Sequence, residues 1–363
     1  MFELPVETIL SPDSAPPVDD GETIGYSREG RPLWAVSRGR GPLRCSLIGG
    51  CHADEPVGPQ MLRLLAHHLG GLPTGHPLVE DLRWLIVPHV NPDGERRNAA
   101  WSDHPVTTTD HRQVPDRGYD PVLYVQQVVR ELPGDDIEFG FPRDVTDLEA
   151  RPENRAVADF LGAAGPVHLH GSFHGMGLAP GPWFLIESGW VDRTAPMREA
   201  LRQQVRAMGY PLFDVDRQGE KGFHRIDEGF ATRPDSRAMR DHFLARDDRR
   251  MAAKFRPSSM ELARRLGGDP LTLVSEMPLF LMPAATDQRP GPPGFRAGTA
   301  GKRHLHDQLR AVAADLPASE ARAAMARLGI RAMPIRDQMR LQLAFLEQAI
   351  SAVRGAFPAA RRG

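Results

Sequence analysis

Residues 43–56 read Leu43-Arg44-Cys45-Ser46-Leu47-Ile48-Gly49-Gly50-Cys51-His52-Ala53-Asp54-Glu55-Pro56. An apolar run ends in two glycines, a histidine and a glutamate follow three residues apart, and Met61, Leu65 and Leu69 then recur on one helical face. A short continuous apolar run bounded by glycine has the pattern of a strand buried on both faces, and the change of period marks a helix behind it. Similar runs recur at Leu82 to Val90, Pro166 to His170, Trp183 to Glu187 and Leu271 to Ser275. Between them lie amphipathic patterns at 153–161 and 258–266, the second opened by Ser258 and Glu261 with the spacing of a capping box. This alternation predicts an α/β fold, a mixed and largely parallel sheet covered by helices on both faces.

The rest of the chain bounds the function. Its 363 residues are 40% hydrophobic and 25% charged, enough for a substantial core. The formal net charge of −2 argues against a nucleic-acid binder held by phosphate contacts. Two cysteines exclude a disulfide scaffold. No apolar run approaches the roughly 18–20 residues of a membrane helix, and the first ten residues lack a signal-peptide pattern. The expectation is a cytoplasmic protein without membrane or nucleic-acid partners. Segment 286–301 is rich in Pro and Gly and reads as a linker or long loop. Beyond it, 302–363 reads as a helical extension, with Leu305, Leu309, Val312 and Leu316 on one face and Met339, Leu343, Leu346, Ile350 and Val353 on another. Those faces would pack on the sheet domain or make a homo-oligomer. Segment 101–134 is irregular apart from one short helical pattern at Val122, Val125, Val129 and Leu132, and reads as either a lid or a surface excursion.

The chemistry lies at the strand ends. An imidazole and a carboxylate placed as His52 and Glu55 can reach one metal ion, and catalytic zinc uses three such protein ligands plus water. His168, His170 and His174 are candidates for the third; strand alternation puts His168 and His170 on one face, with His170 at the end of the run where α/β sites sit. Glu276 leaves an apolar strand between Ser275 and Met277, so poor solvation would raise its pKa towards the range of a general base. Asn91-Pro92-Asp93-Gly94 reads as a tight turn, followed by Glu95-Arg96-Arg97-Asn98.

Taken together, these residues resemble the zinc carboxypeptidases, the metallocarboxypeptidase or funnelin family. The stretch from Ile24 to Leu33 is similar to that family's Gly-x-Ser-x-Glu-Gly-Arg-Pro-Leu opening, and Arg151 to Ala156 to its Pro-Glu helix start. The resemblance covers roughly 23–280 and implies a carboxypeptidase-like catalytic domain over 1–285. It implies one zinc ion on His52, Glu55 and His170, with Glu276 as general base. Arg96, or Arg97 in its place, would polarise the scissile carbonyl, with Asn98 beside it in the Arg-x-Asn element. Where the family carries Asp-x-Asn-Arg-Asn-Phe-Pro, this chain has Asp136-Ile137-Glu138-Phe139-Gly140-Phe141-Pro142. Asp136 is kept and would orient His52. Glu138-Phe139 replaces the Asn-Arg pair that grips a terminal carboxylate, and cannot do so as a guanidinium fork does. The implied activity is amide-bond hydrolysis of a peptide or small amide, with an atypical substrate whose amine or guanidinium meets Glu138. Two alternatives stand beside it: an N-acyl amino acid deacylase of the desuccinylase or aspartoacylase type, and a non-catalytic protein that binds ligands in the same cleft.

Overall fold

The structure, a computed structural model, describes residues 2–11, 21–109, 115–132, 134–283 and 299–357. Its strands in chain order are β1 (Glu22–Tyr26), β2 (Pro32–Arg38), β3 (Leu43–Gly49), β4 (Leu82–Val87), β5 (Val106–Thr109), β6 (Pro115–Gly118), β7 (Leu169–Ala179), β8 (Trp183–Ile186), β9 (Arg225–Asp227), β10 (Phe230–Thr232), β11 (Leu271–Leu281) and β12 (Arg331–Ala332). One sheet takes the order β1-β2-β4-β3-β7-β11-β8-β10-β9, with β12 also paired to β11, while β5 and β6 form a separate hairpin. The centre, β4-β3-β7-β11, is parallel; the β1-β2 hairpin, β8 and β12 add antiparallel pairs. This is the mixed, largely parallel sheet that the alternating pattern predicts.

Side-chain alternation divides the central strands between two layers. Cys45, Leu47, Leu169, Phe173, Leu271, Leu273 and Met277 share one core cluster with the helices Val57–Gly71, Ala195–Ala207 and Ile335–Ala356. Ile48 on the opposite face packs with Val157 and Leu161 of the helix Pro152–Ala164 and Leu262 and Ala263 of the helix Ser259–Arg265. The second of these helices starts at the expected box: the Ser258 and Glu261 side chains each bond the other's backbone N–H. Both faces of the sheet are therefore covered.

Two strands run well past their expected ends. β7 continues from His170 to Ala179 and β11 from Ser275 to Leu281. The glycines at 171, 175 and 177 and the proline at 278 read as strand breakers. In the sheet, Pro278 falls where β11 passes from β8, whose register with it ends at Glu276, to β12, whose register begins at Phe280. A residue without an N–H is tolerated at such a gap.

The helices of 302–357 lie directly on the sheet. Phe345 is fully buried, 4.8 Å from the Phe184 ring of β8, and shares the main core cluster with Leu47 and Phe280. The region also holds the helix Ala318–Arg327, inside the stretch that reads as helical, and strand β12, which the sequence pattern does not predict. Within the Pro/Gly-rich segment 286–301, residues up to 298 lie outside the described residues, and the remainder opens the helix Thr299–Asp315. In segment 101–134, the helix Pro121–Gln127 falls on the expected short pattern, and β5-β6 precedes it. The shared core predicts that Phe345→Ala will weaken the whole domain, by about 3–5 kcal/mol for a deleted core aromatic. Urea unfolding should show one cooperative transition at lower midpoint; an unchanged main transition would mean that the C-terminal helices fold apart from the sheet.

Candidate active site

β3 ends at Gly49, in register with Phe173 of β7. Its continuation, Gly50, has φ of 73°, and a Cβ there would lie 2.5 Å from the His89 ring, so glycine alone lets the chain turn. The turn carries His52 and Glu55 to the neighbouring strand. His52 Nδ1 lies 2.7 Å from Glu55 Oε1, and His174 Nδ1 of β7 lies 3.0 Å from Glu55 Oε2. The two Nδ1 atoms are 3.3 Å apart. Across the parallel ladder His174 is in register with Glu276 of β11. These residues form one wall of a cleft of about 400 Å³ that also exposes Arg130, Trp183, Arg217, Phe223 and Met260.

The outer ring nitrogens are held from behind. Glu138 Oε2 lies 3.1 Å from His52 Nε2, and Ser172 Oγ 2.7 Å from His174 Nε2. A carboxylate accepting from Nε2 leaves the Nδ1 lone pair of His52 facing Glu55 and His174, as metal-ligating histidines require. Burial alone would lower the His52 pKa, but the Glu55 and Glu138 carboxylates overcome it and hold the imidazole well above its usual range. Burial also opposes charge on Glu55, and the two imidazoles beside it keep its carboxyl below the usual range. At Glu276 burial wins: with the Glu55 carboxylate nearby, its pKa is pushed up to about 8.

The donor set fits a metal ion. One ligand atom from each of His52, Glu55 and His174 lies within 4.8 Å of the others. Glu55 Oε2 is buried and forms no hydrogen bond, although an imidazole nitrogen stands 3.0 Å away. Two imidazole nitrogens and a carboxylate that converge, with one carboxylate oxygen left without a hydrogen bond, are the ligand types zinc takes in hydrolytic sites.

The zinc carboxypeptidase family model matches residues 16–183, the stretch that carries all three of these residues. Over that stretch the chain is similar to the zinc carboxypeptidases. Carboxypeptidase SOL1 of Arabidopsis thaliana is 34% identical over 91 residues, 22% of this chain and 18% of that protein. The chain thus spans about a fifth of the curated relative it matches. Among solved structures, a metallo-carboxypeptidase from Burkholderia cenocepacia is similar at 15% identity, covering 96% of this chain and 68% of that one, with a TM-score of 0.46. Bovine thrombin-activatable fibrinolysis inhibitor, in complex with tick carboxypeptidase inhibitor, is similar at 14% identity, covering 96% and 95%, with a TM-score of 0.44.

Several expected zinc-carboxypeptidase residues are placed elsewhere. His170 is fully buried, 2.5 Å from Ser46 Oγ, in register with that residue and four positions short of His174. At about 3.3 Å per residue that is roughly 13 Å down the strand. Burial, then Arg233, pushes its pKa down to about 3, so it is a neutral core histidine. His174 takes the place expected for His170, because β7 extends further than its glycines suggest. His168 accepts from the Arg44 backbone N–H at the start of β7 and does not reach the cleft.

Asn91-Pro92-Asp93-Gly94 is a helix start: Asn91 Oδ1 accepts from Gly94 N, opening the helix Pro92–Ser102. Asp93, Gly94, Asn98 and Trp101 form its inner face, which leaves Arg96 and Arg97 exposed and outside the cleft lining. Arg97 pairs with Glu29 at 2.9 Å. Asn98 spends its side chain on Ala53 O, Gly94 O and Val129 O, so it braces the loop that carries the ligands and does not face substrate. One guanidinium that does line the cleft is that of Arg130, held by Asp54 at 2.7 Å and bonded to Tyr124. Gly177 makes room for it, since a Cβ there would sit 2.6 Å from the Arg130 terminal nitrogen. Arg130 comes from the 101–134 region, which in the sequence reads as either a lid or a surface excursion.

Asp136, expected behind His52, is 4.0 Å from Nε2, and burial raises its pKa to about 6. Glu138 takes that position instead, so it is engaged by the protein and not kept for a cationic substrate group. Phe139 is buried against Phe255, with ring centroids 5.4 Å apart. The two histidines of β7 separate by experiment. His174→Ala should leave zinc content after desalting near zero, whereas His170→Ala should keep close to one equivalent and lose stability. Metal loss in His170→Ala alone would reverse the assignment.

Proposed function

We propose that the protein is a zinc-dependent hydrolase of amide bonds in peptide-like substrates. His52, Glu55 and His174 would hold the ion, which would supply Lewis acidity and bring the pKa of water towards about 7. The observation that carries the reading is the register of Glu276 with His174 on the same face of adjacent strands. This sets a carboxyl of raised pKa beside the three ligands. Glu276 takes a proton from the attacking water onto a carboxylate oxygen. It then returns that proton to the leaving nitrogen as the amide C–N bond breaks. A base whose pKa is near the working pH can both accept and release a proton.

Arg130 serves where Arg96 was expected. Its guanidinium, fixed by Asp54, faces the cleft and receives the negative charge that develops on the carbonyl oxygen. Glu138 fixes the tautomer of His52, Ser172 orients His174, and apolar Trp183, Val274 and Met260 line the cleft nearby. Positions 138 and 139 do not anchor substrate.

Turnover of a panel of blocked dipeptides by the zinc-loaded protein, followed by mass spectrometry, tests this. Glu276→Gln should cut kcat by about 10²–10⁴-fold with zinc content unchanged, the usual range for removing a general base. Arg130→Ala should cut it by about 10²–10³-fold with little effect on zinc. Undiminished turnover in Glu276→Gln would remove the general-base assignment.

A further inference from the structure

With positions 138 and 139 committed elsewhere, the chain needs another group to orient its substrate. Four other cationic side chains line the cleft: Arg130, Arg217, Lys221 and Arg233. Arg130 is held by Asp54 and Tyr124. Arg233 bonds Glu187 at 2.8 Å, Thr272 Oγ1 at 2.8 Å and Pro234 O at 3.1 Å. Lys221 lies over the Phe243 ring, 5.6 Å from its centroid. Arg217 is the least committed: its ion pair among the described residues is one 3.3 Å contact with Glu220, a carboxylate 37% exposed. A guanidinium carries five N–H donors.

The position of Arg217 is fixed by an aromatic shelf. Its guanidinium lies 4.3 Å from the Phe223 ring centroid, and Phe223 stacks on Trp183 at 5.3 Å and 29°. Trp183 in turn is in register with Glu276 in the β8-β11 pair. The shelf therefore runs from Glu276 to Arg217. Beneath it lie Met260 and Val274. The loop presenting Arg217 closes on itself, with Glu220 N donating to Arg217 O at 2.8 Å and Gly219 N to Phe223 O at 2.9 Å. Gln218 and Lys221 have φ of 50° and 58°, a conformation that L side chains rarely adopt and that clusters at ligand-holding sites.

We propose that Arg217 is the specificity-determining residue of the cleft. It receives a carboxylate on the leaving-group side of the substrate. The inference rests on the hydrolase reading above for the identity of the site. An apolar side chain on the same fragment would lie along Trp183 and Phe223, and the distance along the shelf would place the amide bond beside Glu276.

Binding and turnover test it separately. Calorimetry on the zinc-loaded Glu276→Gln protein compares N-acetylphenylalanine with its carboxamide. The acid should bind about 10- to 100-fold tighter, as a charge-assisted bidentate contact gives. Adding Arg217→Gln should abolish that preference, and Arg217→Lys should restore part of it. In otherwise wild-type protein, Arg217→Gln should raise KM for a free-acid dipeptide about 10- to 100-fold. kcat and the turnover of the matching amide should stay within about twofold. Equal binding of acid and amide, or equal losses on both in Arg217→Gln, would overturn the proposal. If the acid preference and its dependence on Arg217 hold but no substrate turns over above the Glu276→Gln background, the carboxylate site stands and the hydrolase reading falls.

Discussion

The parallel pairing of β7 with β11 places His174 and Glu276 side by side, and the site depends on that register. Side chains alternate along a strand, so a slip of one residue would send Glu276 to the opposite face, among Leu273 and Met277. The register is protected by burial. Leu169, Phe173, Leu271 and Met277 are buried in one core cluster, and a one-residue slip of either strand would turn its members of that set out of it. β3 then decides where the ligands meet. It stops at Gly49, one residue short of His174's level, and the turn that follows crosses to the place where the next strand residue would have been. The end of β3, beside a β7 that continues, creates the space that His52 and Glu55 enter.

The C-terminal helix reinforces this arrangement from the far side of the sheet. Gln342 is fully buried and reaches the His174 carbonyl and Ser275 Oγ, each at 3.3 Å. It bridges the two strands at the level of His174 and Glu276. A buried amide there adds little net stability, since it exchanges water for protein partners, but it ties the two strands to a third element. The helix thus supports the site without contributing a residue to it.

The central strands and flanking helices were legible because continuous apolar runs and helical periods survive in a single sequence. His52, Glu55 and Glu276, which the fold brings beside His174, stand out in the sequence for a related reason: each closes such a run or follows it directly. Strand lengths were not legible, which is why the sequence points to His170 while the fold sets His174 beside His52 and Glu55. Gly171, Gly175 and Gly177 look like breakers, yet in a strand buried between neighbours they admit close approach, as Gly177 does for Arg130. Arg96 was misplaced because Asn91 can open either a turn or a helix, and only the packing of Asp93, Asn98 and Trp101 decides which face points inward. Arg130 carries no local signal at all. Its role comes from Asp54 and Tyr124, which lie 76 and 6 residues away in sequence.

His170 and His174 show how far residue identity can be separated from role. They share a strand and a face, and both are buried. At His170 the flanking strands are both present. Ser46 stands on one side and Thr272 on the other, and Thr272 is joined to Glu187 and Arg233. Hydroxyls beside an imidazole in a dry environment favour the neutral ring, and nothing anionic touches it. At His174 the β3 strand has ended and a carboxylate occupies its place. The same imidazole then faces Glu55 across 3.0 Å, next to a second imidazole and open to a cleft. Four residues along one strand convert a core histidine into a candidate ligand, and the difference lies in where the neighbouring strand stops.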